Sequence, residues 1–136
     1  MKNIILPTLI PDNQKYVLKY ENTPIANIIF KTINVEGDGK IVKKIGLFYE
    51  RLTKKFADWA NGNFKTYAER SYEADTNPRK KYRYRPLSLC YDMSADIIKN
   101  TYLSVEINIT LFKEGKTVGR RKINHLWDLS KGILRK

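Results

Sequence analysis

"IVKKIGLFYERLTKKFADWANGNFKTYAERSY" (41–72) is the stretch on which the reading of the fold turns. Ile41, Ile45, Phe48, Leu52, Phe56, Trp59 and Ala60 recur in it at steps of mostly three and four residues. That spacing lays them along one stripe of an amphipathic helix. Gly62, in "NGN", is expected to weaken or kink the helix, and Phe64, Tyr67, Ala68 and Ser71 carry the pattern beyond it, to about residue 73. An aromatic stripe of this kind packs onto a sheet, so Ile45, Phe48, Leu52, Phe56 and Trp59 are the expected core of the helix.

On either side of the helix the period changes. From Leu87, apolar Leu87, Leu89, Tyr91, Met93 and Ala95 alternate with Ser88, Cys90, Asp92, Ser94 and Asp96. After a turn near "KNT" (99–101), Leu103, Val105, Ile107, Ile109 and Leu111 alternate in the same way with polar residues. "KEGK" (113–116) is a second turn, and "TVGRRKINHLWDL" (117–129) a further strand. Before the helix, "KYVLKY" (15–20) and "IANIIFKTINV" (25–35) read as strands joined by "ENTP", and "EGDGK" (36–40) breaks the second. Strands with one apolar and one polar face belong to an antiparallel sheet covered on one side, and the helix is its cover. The expectation is a single α+β domain over 1–136 in the order β-β-α-β-β-β.

A length of 136 residues with 42% hydrophobic and 12% aromatic residues suits one folded domain with a core of its own. Cys90 is the only cysteine, so no internal disulfide forms and no oxidising compartment is demanded. "MKNIILPTLIP" (1–11) is broken by Pro7 and Pro11 and has no small-residue cleavage site, unlike a signal peptide. No apolar run approaches the roughly 20 residues that span a bilayer. The chain is expected to be cytoplasmic as it stands, or extracytoplasmic if a leader precedes it.

The net charge of +12 is local. "NPRKKYRYRP" (77–86) holds five basic residues and no acid, and 113–136 holds eight basic residues and two acids. Elsewhere the 13 basic and 12 acidic residues nearly cancel. In an up-down-up meander the first and third strands start at the same end of the sheet, which brings the two basic segments together. The expected ligand-binding patch is Arg79, Lys80, Lys81, Arg83, Arg85, Lys116, Arg120, Arg121 and Lys122, with Tyr82 and Tyr84 as rings able to stack.

Catalytic constellations are absent. His125 is the only histidine and lies between Ile123 and Trp127 on an alternating strand, which suits a structural role. One histidine and one cysteine do not make a zinc site, so no metal and no cofactor is expected. Cys90 has no neighbour in sequence that would lower its pKa. Asp92, Asp96 and Glu106 fall on polar strand faces, where solvation accounts for them without acid–base work. "GDGK" (37–40) lacks the spacing and the Lys-Ser/Thr ending of a phosphate loop.

The helix segment "IGLFYERLTKKFADWA" (45–60) and the terminal "WDLSKGIL" (127–134) carry a resemblance. With an apolar strand before the helix and the alternating strands after it, the match runs over about residues 15–134. It resembles the extracellular domain of lysozyme-sensing anti-sigma factors of Firmicutes, a domain also found beside peptidoglycan deacetylases. Members of that family often carry a glycine-rich loop with a histidine between the last two strands. Here "EGKTVGRRK" (114–122) keeps only Gly115 and Gly119 and has no histidine. The resemblance implies a non-catalytic binding or sensing module of the cell envelope. Lysozyme is strongly basic, so like-charge repulsion opposes it as the partner of a +12 chain. The expected partner is an anionic polymer or an acidic protein. The alternative is a small cytosolic nucleic-acid-binding protein, with the same basic residues on phosphates.

Overall fold

The computed structural model describes residues 4–75 and 85–135. The chain forms β1 (Thr8–Tyr20), β2 (Thr23–Glu36), α1 (Lys40–Trp59), a π-helical turn (Ala60–Phe64), α2 (Lys65–Asp75), β3 (Leu87–Ile98), β4 (Tyr102–Lys113), β5 (Lys116–Asp128) and a short β6 (Ile133–Leu134). The strands make one six-stranded sheet in sequence order. The α+β class and the β-β-α-β-β-β order are those the periodicity predicts. β6 is added at the end.

Two features of the sheet go beyond the sequence reading. β2 and β3 are parallel, through Ala26 to Lys31 against Leu87 to Asp92, whereas every other neighbour is antiparallel. The helix between them returns the chain to the end it started from, the crossover that a parallel pair needs. β1 also starts earlier than "KYVLKY" suggests, because residues 8–14 pair with the far half of β2 despite Pro11. Pro11 has no N–H to give, and a sheet edge tolerates that.

The hairpins are tight. Glu21 and Asn22 join β1 to β2, and Glu114 and Gly115 join β4 to β5, all four with positive φ. That is the primed-turn geometry whose twist matches the strands it connects. Gly115 suits its φ of 78° at no steric cost.

The core lies between the helix and one face of the sheet. Val42, Ile45 and Tyr49 of α1, with Ala60, Phe64 and Ala68 beyond it, face Ile28, Phe30, Leu89, Tyr91, Met93, Leu103, Val105 and Ile107. Ile45 is buried as expected, and Phe48, Leu52 and Phe56 are partly buried against the core. Trp59 is a correction. It is 42% exposed, packed beside Phe56 and Phe64 with ring centroids 5.5 Å away in each case. Steps of three and four admit either Trp59 or Ala60 as the inward residue. The small side chain of Ala60 takes the place, the helix sits low, and the indole stays on the rim. The kink expected at Gly62 takes the form of the π-helical turn, after which burial proceeds in steps of four through Ala60, Phe64 and Ala68.

Gly46 sets how closely α1 sits on β2. A Cβ built there would lie 2.5 Å from the backbone oxygen of Val35. Ala in place of Gly favours a helix by about 1 kcal/mol, but a backbone atom at that distance must move, and overpacking costs about 1–3 kcal/mol. Gly46→Ala is therefore expected to lower stability, with a urea midpoint below that of the wild type. A midpoint raised by the substitution would show that helix and strand are farther apart.

Candidate binding surface

The residues of the terminal motif are structural. Trp127 Nε1 donates to the Tyr49 hydroxyl at 2.7 Å, and that hydroxyl lies 2.8 Å from His125 Nδ1. An indole can only donate, so the indole and phenol hydrogens both find partners if Tyr49 accepts from Trp127 and donates to His125. His125 is then neutral, with its proton on Nε2. Phe48 closes the cluster, with centroids 5.0–5.6 Å from Tyr49, Trp127 and His125. Burial pushes the His125 pKa down and the Tyr49 pKa up, so both groups stay uncharged at neutral pH.

One residue further on, the carboxylate of Asp128 is almost fully buried and accepts from the backbone N–H of Ser130 at 2.9 Å and from Arg135 at 3.3 Å. The Ser130 hydroxyl also donates to it, and these contacts hold its pKa below the usual carboxylate value. Gly132 adopts φ 68°, and its carbonyl accepts from Lys44 Nζ at 2.9 Å. "WDLSKGIL" thus ties the end of β5 to the start of α1.

A pH dependence follows. His125 titrates at 6.5 when unperturbed and lower when folded, so the unfolded chain takes up its proton first. Stability is expected to fall as pH drops below about 6.5 and to go on falling until the folded-state value is passed. Asp128 adds a second loss below its ordinary 3.8, as acid protonates a carboxylate that the fold holds ionised. Urea midpoints measured between pH 8 and 3 should show both. In His125→Gln the first fall should vanish and the second remain.

The basic residues sit elsewhere. Arg79, Lys80, Lys81, Tyr82, Arg83 and Tyr84 lie outside the described residues. Arg85, exposed, lies two residues before β3, and Lys116, exposed, opens β5. Ser88 pairs with Phe112 and Lys113 with Lys116, so the starts of β3 and β5 flank the end of β4. Topology therefore brings Arg85 and Lys116 to one end of the sheet.

The next three basic residues divide by strand alternation. Arg121 pairs with Ile109 and faces the helix side. Arg120 and Lys122 pair with Thr110 and Asn108 and face the open side. Lys122 is held by Glu106 at 2.6 Å. Asp92 and Asp96 lie across from Asn108 and Ser104, on the same open face. Cys90 is half-buried there, and burial, then the charge of Asp92, push its thiol pKa up, away from the reactive thiolate.

Grooves lie along both sides of α1. On the β4–β5 side, a groove of about 280 Å³ has Leu89, Ile109, Leu111 and Phe56 as its apolar lining, with Trp59, Arg120 and Arg121 beside them. Periodicity does not reveal it, because steps of three and four put Trp59 in the core. On the β1–β2 side, a larger groove of about 830 Å³ carries Asp12, Gln14, Thr32, Asn34, Lys43 and Glu50, a lining of mixed charge. Among the described residues no group of His, Cys, Asp or Glu is gathered to hold a metal, and no helix is long and apolar enough to cross a membrane.

No protein-family model matches the chain, and no curated protein does. Among solved structures, it is similar to a member of the DUF3298 family from Bacteroides fragilis, with a TM-score of 0.60 and 14% sequence identity. That likeness covers 99% of this chain and 61% of the other, so this chain spans less than two thirds of its length. At 14% identity the shared property is the fold.

Proposed function

We propose that the chain is a non-catalytic binding or sensing module related to bacterial cell-envelope domains. Its basic sheet end takes an anionic polymer or an acidic partner. The observation that carries this reading is the meeting of Arg85 with Lys116, from segments about 30 residues apart, where the starts of β3 and β5 flank the end of β4, with Arg120 and Arg121 following on the two faces of β5. A basic excess beside an apolar groove raises the local concentration of a polyanion and orients it. The helix and terminal motifs support the envelope relationship, and in this account the domain works outside the membrane.

Single-stranded nucleic acid is the second reading, favoured by one observation: the partly exposed ring of Trp59 beside Arg120 and Arg121, an arrangement on which a base can stack. Amide NMR of the protein titrated with a heparin fragment, and separately with oligo-dT, tests both. The first reading expects shifts at 85–88 and 113–122 with heparin. Shifts confined to the larger groove on the β1–β2 side would refute it. Shifts with oligo-dT alone would establish the second.

A further inference from the structure

The outer edge of β5 is open along most of its length. β6 pairs only with Trp127 and Asp128, and Arg135 N then donates to Leu126 O at 2.6 Å. The Leu126 carbonyl therefore points away from β4. Backbone groups alternate in direction along a strand, so Asn124, Lys122 and Arg120 also aim their N–H and C=O groups outward. No strand pairs with them on that side among the described residues. β1, at the opposite edge, carries Pro11, which has no N–H to offer a further strand.

We propose that this open edge takes an acidic, extended peptide segment of a partner protein as an added strand, continuing the line that β6 begins. The proposal rests on the reading of the basic end as a binding surface, and it narrows the partner to a peptide. Residues 116–125 read "KTVGRRKINH", with four basic residues and no acid. On an added strand, acidic side chains on one face meet Arg120, beside the Lys122–Glu106 pair, and the other face, along Gly119 and Arg121, is left to apolar ones. A second copy of this edge would bring like charges together and is disfavoured on that ground.

The groove beside Trp59 adds an anchor. Gly119 faces the helix side opposite Leu111 and lines that groove. It has no side chain to close the groove from the edge. An apolar residue of the added strand, placed opposite Gly119, reaches Leu111, Ile109 and the Trp59 ring. Main-chain hydrogen bonds hold the strand, and a pocket for one side chain selects it, as in other cases of strand addition.

The probes are a ten-residue peptide of alternating glutamate and valine with a central leucine, the same peptide N-methylated at alternate amides, a heparin fragment and oligo-dT. The unmodified peptide is expected to slow amide hydrogen exchange at Arg120, Lys122 and Asn124. N-methylation, which leaves charge unchanged, should weaken binding about tenfold or more through the lost hydrogen bonds. Gly119→Val, at a position of ordinary φ with room for a Cβ, should weaken the peptide and leave heparin binding as it was. Equal binding of the two peptides, or unchanged exchange at the edge amides while heparin binds, would overturn the added strand and leave the basic-end reading standing. Failure of both heparin and peptide at low salt would overturn both. Binding of oligo-dT alone would replace the peptide by nucleic acid.

Discussion

Trp127→Ala should lower folding stability by roughly 3–5 kcal/mol, the usual cost of emptying the site of a buried aromatic. The indole is only 3% exposed and packs against Phe48 and Tyr49, with centroids 5.2 and 6.2 Å away. The substitution also removes the donor that orients the Tyr49 hydroxyl. Tyr49→Phe should cost about 1–3 kcal/mol, since it leaves the Trp127 Nε1–H and His125 Nδ1 without their partner. Equilibrium urea unfolding reads both, with the slope unchanged. The two losses should not add, because each substitution breaks the same hydrogen bond. A Trp127→Ala variant within about 1 kcal/mol of the wild type would contradict the burial of the cluster.

The second large effect concerns charge. Arg85→Glu, Arg120→Glu and Arg121→Glu together should remove most polyanion binding at low salt and flatten the salt dependence of what Lys116 retains. Each phosphate contact on a single strand contributes about 0.7 to the slope of log affinity against log salt, so three lost contacts should flatten it by about 2. Lys40→Glu and Lys43→Glu serve as controls. Both lysines are exposed in the first turn of α1, which follows the end of β2 and so lies at the other end of the sheet from the start of β3, and screening over about 10 Å confines their influence. Equal flattening by the control pair would mean that net charge, and no particular end of the sheet, attracts the ligand.

Much of this architecture is written in local pattern. The alternation from Leu87 to Leu111 declares which side chains go inward, and burial follows it nearly residue for residue. The meeting of Arg85 with Lys116 needs only two hairpins, so it too is legible. What a period does not encode is which strands become neighbours across a helix, and the parallel β2–β3 pair is invisible for that reason. Trp59 shows a second limit. Period alone gives Trp59 and Ala60 equal claim to the core, and the choice depends on how low the helix lies, which Gly46 and Val35 decide. The groove beside Trp59 and Arg121 is hidden as a consequence. The partners of His125 are hidden by distance, since Tyr49 lies 76 residues earlier in the chain.

The central claim is that the basic end of the sheet is a binding surface, and a fluorescence titration with a labelled heparin fragment at rising salt tests it most directly. The account predicts saturable binding at 20 mM salt that weakens steeply and linearly on a log–log scale, and that the triple glutamate variant loses. No saturable binding at 20 mM salt, or binding indifferent to salt and to the three substitutions, would contradict it.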